Sequence, residues 1–555
     1  MIKKIFGTVI SVIAFAVIHA QSVADAGKLV YHERYISAEA MLHDILKTHA
    51  DNTDAWYVLG QAYLGENKIN ALKDTLANAP VTVSSQPLIK SLYGHLLLKN
   101  NDTIGARTYF DMALKDTKMK DAAVLAEIAA AQTDCKAGNA IYALELLQNA
   151  AKRDKNNPAL YVLMGDAYRK LMDGGNAFKA YQQALVIDPG YSAADYKIGK
   201  IYTSQNNPES YLNYFSKAVA ADPQYAPALY ELYYHYYFND IKLSEDYLNK
   251  YIAASDKNIK NDYLQTDMLY ATKKYDQAIE NAENLIKTQG DKVQPRIYKL
   301  AAYSLKEKGS IDKAGEFMRM YFKMQNDTGL IAKDFEAMGD IYVAKDGAVD
   351  SAAYYYAKGA GLEKDSTEKI ASYKKIAGLY KKIKDYNNEA FWLGKYYNEK
   401  AGAGNVDLFN WGLANYLGKN YAAADTVFGL YEQKFPTEEF GFYWSARTNA
   451  AIDTSMEKGL AVPHYTKLTE LLEKDTTGNA TVKKHLIESY GYIAAYKANT
   501  EKDYAGAISF FDKLLAIDPG NADAARYVSI LKKNLEKSGG NEMSKTDRES
   551  PKTNK

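Results

Sequence analysis

Histidine and cysteine are the side chains of this sequence that could bind a metal ion, and their spacing does not favour a site. The eight histidines of the 555-residue chain are scattered, and the H-E-x-x-H spacing that places two imidazoles on one helix face does not occur. His43 and His49 lie in and just after one predicted helix, but no carboxylate stands at the spacing of a third ligand. A single cysteine, Cys135, excludes an intrachain disulfide, a cysteine-rich zinc site and an iron–sulfur cluster. The sequence therefore predicts no metal site and no cofactor.

Motifs for catalysis are equally scarce. The sequence has no G-x-S-x-G nucleophile elbow, no phosphate-binding Walker loop and no G-x-G-x-x-G turn. The pair Glu488-Ser489 resembles the catalytic Glu-Ser of lytic transglycosylases, in which a buried glutamic acid with a raised pKa would be the general acid. The Gly-Leu-Met-Gln motif of that family is absent, and Tyr490-Gly491 fit the aromatic and glycine positions of a helical repeat. We therefore predict no catalytic residues, and a transglycosylase-like enzyme is the last of three hypotheses.

The helices that would position these residues repeat every 34 residues. When the segment 158–189 is shifted by that period, Gly165 falls on Gly199, and Asp188-Pro189 falls on Asp222-Pro223. A glycine inside a helix costs about 1 kcal/mol relative to alanine, so these glycines indicate a partner helix so close that a Cβ would block it. Each proline ends the second helix because it pushes the preceding residue out of the α region. The period predicts an array of hairpins in which each contacts only its neighbours.

The period and the landmark residues resemble those of the tetratricopeptide repeat (TPR), whose signature is W-x2-L-G-x2-Y followed by Ala, Phe and Pro. The best matches are Trp56-x2-Leu59-Gly60-x2-Tyr63 and Tyr161-x2-Met164-Gly165-x2-Tyr168. The resemblance implies an all-α TPR superhelical solenoid of about fourteen helix pairs with a C-terminal capping helix. It assigns structural roles to ten positions: Trp56, Gly60, Gly94, Gly165, Tyr168, Ala177, Ala184, Pro189, Gly199 and Pro223.

The N-terminal residues have the pattern of a secretory signal peptide, which we place at 1–20. Lys3-Lys4 precede an apolar run that is shorter than the roughly 20 residues of a membrane-spanning helix. Cleavage is expected after Ala20 or, as the second choice, after Ala26. Retention of the segment as an uncleaved N-terminal anchor is the alternative.

Composition also suggests where the array divides. The run Ala401-Gly402-Ala403-Gly404 is the best candidate for a hinge. We therefore predict an N-terminal TPR array at 21–404, and a C-terminal TPR array with a capping helix at 405–537. The tail 538–555 has one large apolar residue and is predicted to be disordered. Repeat boundaries within 226–294 and 445–506 are not fixed by the pattern.

Charge and aromatic content bear on the kind of partner. The 69 basic and 68 acidic residues give a formal charge of +1, whereas a nucleic-acid-binding surface needs a clear basic excess. The chain also has 48 tyrosines against 4 tryptophans and 17 phenylalanines, more than the repeat positions require. Tyrosine supplies a large contact area at low entropy cost and keeps a hydroxyl for hydrogen bonds. The near-zero net charge thus argues against a nucleic-acid partner, and the tyrosine content favours a protein partner.

In the TPR family, the concave groove is lined by first-helix residues next to the signature positions. Carried over to this chain, the resemblance implies a groove lined by Tyr57, Arg169, Tyr196, Lys200, Tyr230, Tyr234 and Tyr237. An extended peptide would place its side chains between the rings. Lys200 and Arg169 would be available for its carboxylates.

The sequence thus predicts an exported, non-catalytic TPR scaffold or adaptor that binds a protein or an extended peptide in its groove. The expected location is the periplasm or the cell envelope, or otherwise outside the cell, without an integral membrane segment after signal cleavage. The first alternative is a glycan-binding helical solenoid of the cell envelope, in which tyrosines stack on sugar rings. The identity of the partner, the physiological process and the oligomeric state are left open by the residues.

Overall fold

The computed structural model describes residues 22–345, 348–475 and 478–546, with side chains up to residue 537. The predicted signal peptide, 1–20, lies outside these residues. In the described part every regular element is a helix and none is a strand. The contacts divide the chain into two compact units, residues 1–288 and 289–555. None of the described helices combines the length and the apolar character needed to span a lipid bilayer.

Unit 1 is built from eight hairpins, and one extra turn of helix (α5) lies between the second and third. Its helices are α1 (Val23–Tyr31), α2 (Tyr35–Thr48), α3 (Thr53–Gly65), α4 (Ile69–Ala77), α5 (Val81–Ser84), α6 (Pro87–Lys99), α7 (Thr103–Thr117), α8 (Ala122–Asp134), α9 (Ala140–Arg153), α10 (Pro158–Lys170), α11 (Gly174–Ile187), α12 (Ser192–Ser204), α13 (Pro208–Ala221), α14 (Ala226–Tyr237), α15 (Ile241–Ala254), α16 (Ile259–Ala271) and α17 (Tyr275–Gln289).

Unit 2 is built from six hairpins and a final single helix. Its helices are α18 (Pro295–Glu307), α19 (Ile311–Met324), α20 (Ala332–Val343), α21 (Val349–Leu362), α22 (Ser366–Lys382), α23 (Tyr386–Glu399), α24 (Asn405–Leu417), α25 (Tyr421–Lys434), α26 (Glu439–Ile452), α27 (Val462–Leu472), α28 (Ala480–Tyr496), α29 (Tyr504–Ile517) and α30 (Ala522–Thr546). The predicted all-α TPR architecture of about fourteen hairpins with a C-terminal capping helix is therefore confirmed.

Helix starts and stops follow the sequence signals. The second helices α11 and α13 begin at Asp173 and Asn207, whose side chains accept a hydrogen bond from a backbone N–H of the first turn. Both helices end at an aspartate in the extended conformation, Asp188 and Asp222, and Pro189 and Pro223 follow. The Asp and Asn caps and the Asp-Pro pairs therefore set where these second helices begin and end.

The glycines of the repeat signature, which we call the landmark glycines, contact an aromatic ring of the second helix and not the backbone of that helix. A Cβ built on Gly165 would meet the Tyr181 ring at under 3.0 Å, and one on Gly199 would meet Phe215. Three more hairpins repeat this contact, through Gly94 on Phe110, Gly339 on Tyr356 and Gly412 on Phe428. The small residues of the second helix complete the core, since Ala177 and Ala184 are fully buried. The expected close approach is confirmed, and the ring is its physical cause.

The other predicted structural positions also have packing roles. Gly60 faces Leu92 of the next hairpin, and the Trp56 indole donates a hydrogen bond from Nε1 to the Ala50 carbonyl at 2.9 Å. Tyr168 packs against the core formed by hairpins α10/α11 and α12/α13.

Two features of the structure bear on the predicted organisation. The contacts divide the chain after Thr288, whereas at the predicted hinge Tyr397 and Leu408 pack together across the glycine-rich turn and Lys400 pairs with Asp407 at 2.8 Å. At the C-terminus, α30 continues beyond residue 537 to Thr546, which is part of the segment that the sequence predicted to be disordered. Residues 547–555 lie outside the described part.

Unit 1 also contains contacts that a purely local array would lack, and the expectation of neighbour-only contacts is wrong there. At the end of α1, the Tyr31 ring packs on Tyr191 and Tyr225 at centroid distances of 5.6 and 5.2 Å. The buried side chain of His32 is hydrogen-bonded through Nε2 to Asp222 at 2.6 Å. These contacts join the first hairpin to loops about 160 to 190 residues later, and we call them the closure of unit 1.

Asp256, in the loop before α16, forms the other part of the closure. Its carboxylate accepts hydrogen bonds from the backbone N–H groups of Ile36 and Ser37 at 2.7 and 3.3 Å, and from the Ser37 hydroxyl. Arg34, at the N-cap position of α2, provides no side-chain cap of its own. The first turn of α2 is therefore capped by a carboxylate about 220 residues away.

Candidate functional site

The first-helix residue that follows each landmark glycine belongs to the predicted groove surface, and in two hairpins it is an aspartate. Asp166 accepts a hydrogen bond from the Tyr181 hydroxyl at 2.7 Å and pairs with Lys197 of the next first helix at 2.9 Å. One ring therefore fills the space above Gly165 and also binds the adjacent carboxylate. The lysine then joins that hairpin to its neighbour. We call this arrangement the Asp–Tyr–Lys brace.

The same brace recurs in unit 2. Asp340 accepts from the Tyr356 hydroxyl at 2.6 Å and from Lys375 at 2.8 Å, and Lys306 adds a third contact at 2.9 Å. Burial alone would raise the pKa of Asp340, but the hydrogen bonds from Lys375, Tyr356 and Lys306 outweigh it and hold the pKa below its usual value. The carboxylates on this face are therefore engaged in holding hairpins together.

Lys200 follows Gly199 and was predicted to receive carboxylates of a bound peptide. Its ammonium group pairs with Glu231 of α14 at 2.7 Å. Arg169, the other predicted cation, has an exposed side chain. The charge of Lys200 is therefore already neutralised by a carboxylate of the protein itself.

Tyr57 is also engaged within the chain. Its hydroxyl donates to Glu127 at 2.8 Å, and Gln61 donates to the same carboxylate oxygen at 2.7 Å. Burial first, and then the Glu127 carboxylate, raise the pKa of Tyr57 well above its usual value. The other oxygen of Glu127 lies 2.8 Å from Nδ1 of His95. Tyr57 thus links three first helices through one buried carboxylate.

The remaining predicted groove tyrosines divide into packed and exposed groups. Tyr196 is half-buried between Phe215 and Tyr225, and Tyr230 is half-buried against Tyr233 and Tyr251. Tyr237 is half-buried and contacts Tyr233 and Phe238 edge-on. These three rings serve mainly as packing partners.

Tyr234 differs from the other groove tyrosines because 55% of its side chain is exposed. Its ring meets Phe238 edge to face at a centroid distance of 5.8 Å, and Phe238 is 73% exposed. Tyr237 contacts Phe238 at 5.2 Å from the protein side. The TPR signature does not single out Phe238, the C-cap residue of α14, although its place four residues after Tyr234 brings both rings to the same side of the helix. We call Tyr234 and Phe238 the aromatic pair.

Glu488, the candidate general acid, is held by donors on both oxygens. The hydroxyls of Tyr443 and Tyr465 donate to Oε2 and Oε1, each at 3.0 Å, and the Arg447 guanidinium lies 3.4 Å from Oε1. Burial, followed by the Glu488 charge, raises the pKa of Tyr465 above its usual range. Both carboxylate oxygens of Glu488 are therefore engaged by side chains of the protein itself.

No family model matches the sequence, and no curated protein matches it as a relative. Similar solved structures include the C-terminal part of a TPR repeat-containing protein from Cytophaga hutchinsonii, 27% identical over 48% of this chain and 99% of that one, with a TM-score of 0.30. A tetratricopeptide repeat protein from Parabacteroides merdae is 19% identical over 46% of this chain and 96% of that one, with a TM-score of 0.29. Pseudomonas aeruginosa PilF is 15% identical over 39% and 97%, with a TM-score of 0.27. The description of this chain as a TPR protein rests on its own register and hairpin packing.

Proposed function

We propose that this TPR chain is an exported, non-catalytic scaffold that captures a protein partner through the aromatic pair on α14. The observation that carries the proposal is the exposure of two large rings, 55% for Tyr234 and 73% for Phe238, on the helix face that the TPR resemblance assigns to the groove. Burying such rings in an interface is favourable, and aromatic side chains are enriched among the residues that dominate binding energy.

The surroundings of the aromatic pair indicate what it would bind. Lys200, the predicted cation on the preceding first helix, is paired with Glu231, so its ammonium group is already engaged and does not favour a peptide carboxylate beside the aromatic pair. Tyr233 and Tyr237 contact each other beneath the pair, which fixes the support before binding and lowers the entropy cost. We therefore infer that the partner contributes an apolar segment rather than an acidic one.

Replacing both rings should weaken binding without unfolding the protein. In the mature full-length chain, Tyr234→Ala with Phe238→Ala is expected to raise the Kd for the partner by about tenfold or more, since truncating an aromatic anchor costs about 2 kcal/mol or more. The partner is identified by a photo-crosslinking residue placed at position 238, and the Kd of the purified pair is then measured by calorimetry. The melting temperature should stay unchanged, because exposed rings contribute little to the core.

A matched control is Tyr354→Ala, which removes a ring that is 56% exposed on the second helix α21. It should leave the Kd unchanged. If the double variant binds as tightly as the native chain, or if Tyr354→Ala weakens binding equally, the aromatic pair is not the binding site.

Export is supported by the position of the first helix. Ser22 caps α1 and accepts a hydrogen bond from the Asp25 N–H at 3.1 Å, and Ala26 is fully buried within α1. Cleavage after Ala20 would leave this helix complete, whereas cleavage after Ala26 would remove its first turn. The proposal therefore includes cleavage after Ala20 and a periplasmic or envelope location. The contacts of Glu488 support its non-catalytic part.

A groove in unit 2 favours glycan binding as the second candidate function. It has a volume of about 560 Å³ and lies between α23, α24 and α25. Its lining combines two aromatic residues, Phe391 and Trp411, with four asparagines: Asn387, Asn398, Asn415 and Asn420. Rings that can stack on a sugar face and amides that can bond to hydroxyls are the groups that a neutral carbohydrate requires.

The glycan hypothesis predicts a specific loss of binding. Phe391 is 55% exposed, so Phe391→Ala should leave the melting temperature unchanged and weaken binding to any oligosaccharide found on a glycan array by about tenfold. The Tyr354→Ala chain again serves as the control. An array without a single bound glycan, or equal affinities for the Phe391→Ala and native chains, would contradict this candidate.

A further inference from the structure

A group of three potential metal ligands lies where α6 meets the C-terminal end of α8, and the proposed binding function does not use it. His95 is on α6, Asp134 is the last residue of α8, and Cys135 is its C-cap. One donor atom from each side chain lies within 4.8 Å of the other two. His95 is far from Asp134 and Cys135 along the chain, so no metal-binding motif links the three residues in the sequence.

The second observation is the unpaired nitrogen of His95. Its side chain is 5% exposed, and Nε2 is buried without a hydrogen-bond partner in the described structure. This nitrogen faces the Asp134 carboxylate at 3.6 Å. An unpaired polar atom is costly to bury, so a missing ligand at this point would explain its position.

The other ring nitrogen of His95 is hydrogen-bonded to a carboxylate, as is usual for a histidine that binds a metal. Nδ1 lies 2.8 Å from Oε1 of Glu127, which is 2% exposed. Tyr57 and Gln61 in turn donate to Oε2 of Glu127. A carboxylate that accepts from one ring nitrogen fixes the tautomer and leaves the lone pair of the other nitrogen free for a metal.

We propose that Nε2 of His95, Sγ of Cys135 and a carboxylate oxygen of Asp134 bind one Zn²⁺ ion, with water at the fourth position. Tetrahedral zinc with bonds of about 2.0–2.3 Å separates neighbouring ligand atoms by roughly 3.3–3.8 Å. The distance of 3.6 Å between His95 and Asp134 already lies in this range. Nitrogen and sulfur donors favour zinc over calcium and magnesium, which prefer oxygen.

Charge and access are consistent with this ion. Binding breaks the S–H bond of Cys135 and releases the proton to solvent, so the thiolate joins the Asp134 and Glu127 carboxylates as a third negative charge. Together they offset the two charges of zinc beside the ammonium groups of Lys99, which donates to Asp134, and Lys170, which donates to the Cys135 carbonyl at 2.6 Å. Asp134 is 53% exposed and gives the ion a path from solvent.

A proton is the competitor for this position. Burial alone would lower the pKa of His95, but the neighbouring Asp134, Cys135 and Glu127 side chains raise it well above its usual value. Zinc would displace that proton from Nε2. The test must therefore distinguish a bound metal from a protonated imidazole.

Cobalt(II) provides this test, because a thiolate ligand produces a charge-transfer absorption in the near ultraviolet and a tetrahedral site produces intense visible bands. The mature full-length chain is freed of metal with a chelator and titrated with Co²⁺ under reducing conditions. We expect both absorptions to saturate at one ion per chain and to disappear when Zn²⁺ is added. Since Cys135 is the only cysteine, the charge-transfer band identifies its ligand without ambiguity.

Variants assign the other ligands. Cys135→Ser, a near-isosteric change, should abolish the charge-transfer band, and His95→Gln should abolish saturable binding. Glu127→Gln should keep the band but weaken Zn²⁺ affinity by about 10- to 100-fold, the usual loss when the hydrogen-bond partner of a ligating histidine is removed. His49→Gln changes an exposed histidine outside the cluster and should have no effect.

Circular dichroism verifies that each variant is folded before its spectrum is interpreted. The proposal is overturned if the folded native chain shows no charge-transfer band, or if the same band persists in Cys135→Ser. It is also overturned if Zn²⁺ affinity is equal in the native, Cys135→Ser and His95→Gln chains. That result would assign binding to adventitious surface sites and leave a proton on His95.

Discussion

Gly165→Leu is expected to destabilise unit 1 by about 1–3 kcal/mol or more. The physical reason is the Tyr181 ring, because even a Cβ on Gly165 would lie under 3.0 Å from it. The ring is 0% exposed and its hydroxyl donates to Asp166, so it cannot move aside without opening the core and breaking the brace. Chemical denaturation of the full chain, followed by circular dichroism, measures the loss.

Two further variants separate the clash from a general effect of changing glycine. Gly174→Ala is the control, since a Cβ there would meet nothing within 4 Å, and its stability should match that of the native chain. In the background Tyr181→Leu, Gly165→Ala should cost less than it does in the native chain, because the smaller side chain leaves room. Equal stabilities for Gly165→Leu and the native chain would show that the glycine–ring contact does not hold the hairpin.

Asp256→Ala is expected to cost about 1–3 kcal/mol and to release the first hairpin. The substitution removes the acceptor for the Ile36 and Ser37 N–H groups, and losing a helix cap or leaving buried donors unpaired costs an amount of this order. Asp256 itself is 9% exposed, so solvent cannot fully replace it. Hydrogen exchange should accelerate in residues 23–48 more than elsewhere in unit 1.

Asp173→Ala is the matched control for this experiment. Asp173 caps α11 through the Asn176 N–H at 3.0 Å, so its loss should cost about 1 kcal/mol without accelerating exchange in residues 23–48. If Asp256→Ala leaves hydrogen exchange in the first hairpin unchanged, the hydrogen bond from the Ile36 N–H to Asp256 does not stabilise the closure.

The hairpins could be predicted from the sequence because their determinants are local. The 34-residue register places Gly165 and Tyr181 on facing helices of one hairpin, and Asp188-Pro189 ends that hairpin. Each of these signals depends only on contacts within one hairpin. The number of hairpins and most of the buried positions therefore follow from the pattern.

The closure could not be predicted in this way. Whether His32 reaches Asp222 depends on the small rotation between successive hairpins, accumulated over several repeats. A residue pattern that describes one hairpin does not contain that rotation. The same limit applies to the group of His95, Asp134 and Cys135. His95 is on α6, whereas Asp134 and Cys135 lie at the C-terminal end of α8, the first helix of the next hairpin.

The predicted site illustrates a different limit. The TPR resemblance selects residues by their position on a first helix, but it does not say which of them already bind other residues of the chain. Lys200 meets Glu231 and Tyr57 meets Glu127, and both partners come from other hairpins. Tyr234, in contrast, is 55% exposed. The choice among candidates thus depends on contacts between repeats.

The closure also sets an order of events during synthesis. The first hairpin leaves the ribosome, or crosses a membrane, before the loop that contains Asp256 exists. At the usual rate of about 5–20 residues per second, the chain needs roughly 10–45 s to add the intervening 220 or so residues. During that interval the first turn of α2 has no cap, and Tyr31 lacks the two rings that cover it. The N-terminal hairpin is therefore the first part of unit 1 to be made, but it reaches its final contacts only after most of unit 1 has been synthesised, which makes it the segment that a chaperone would have to protect.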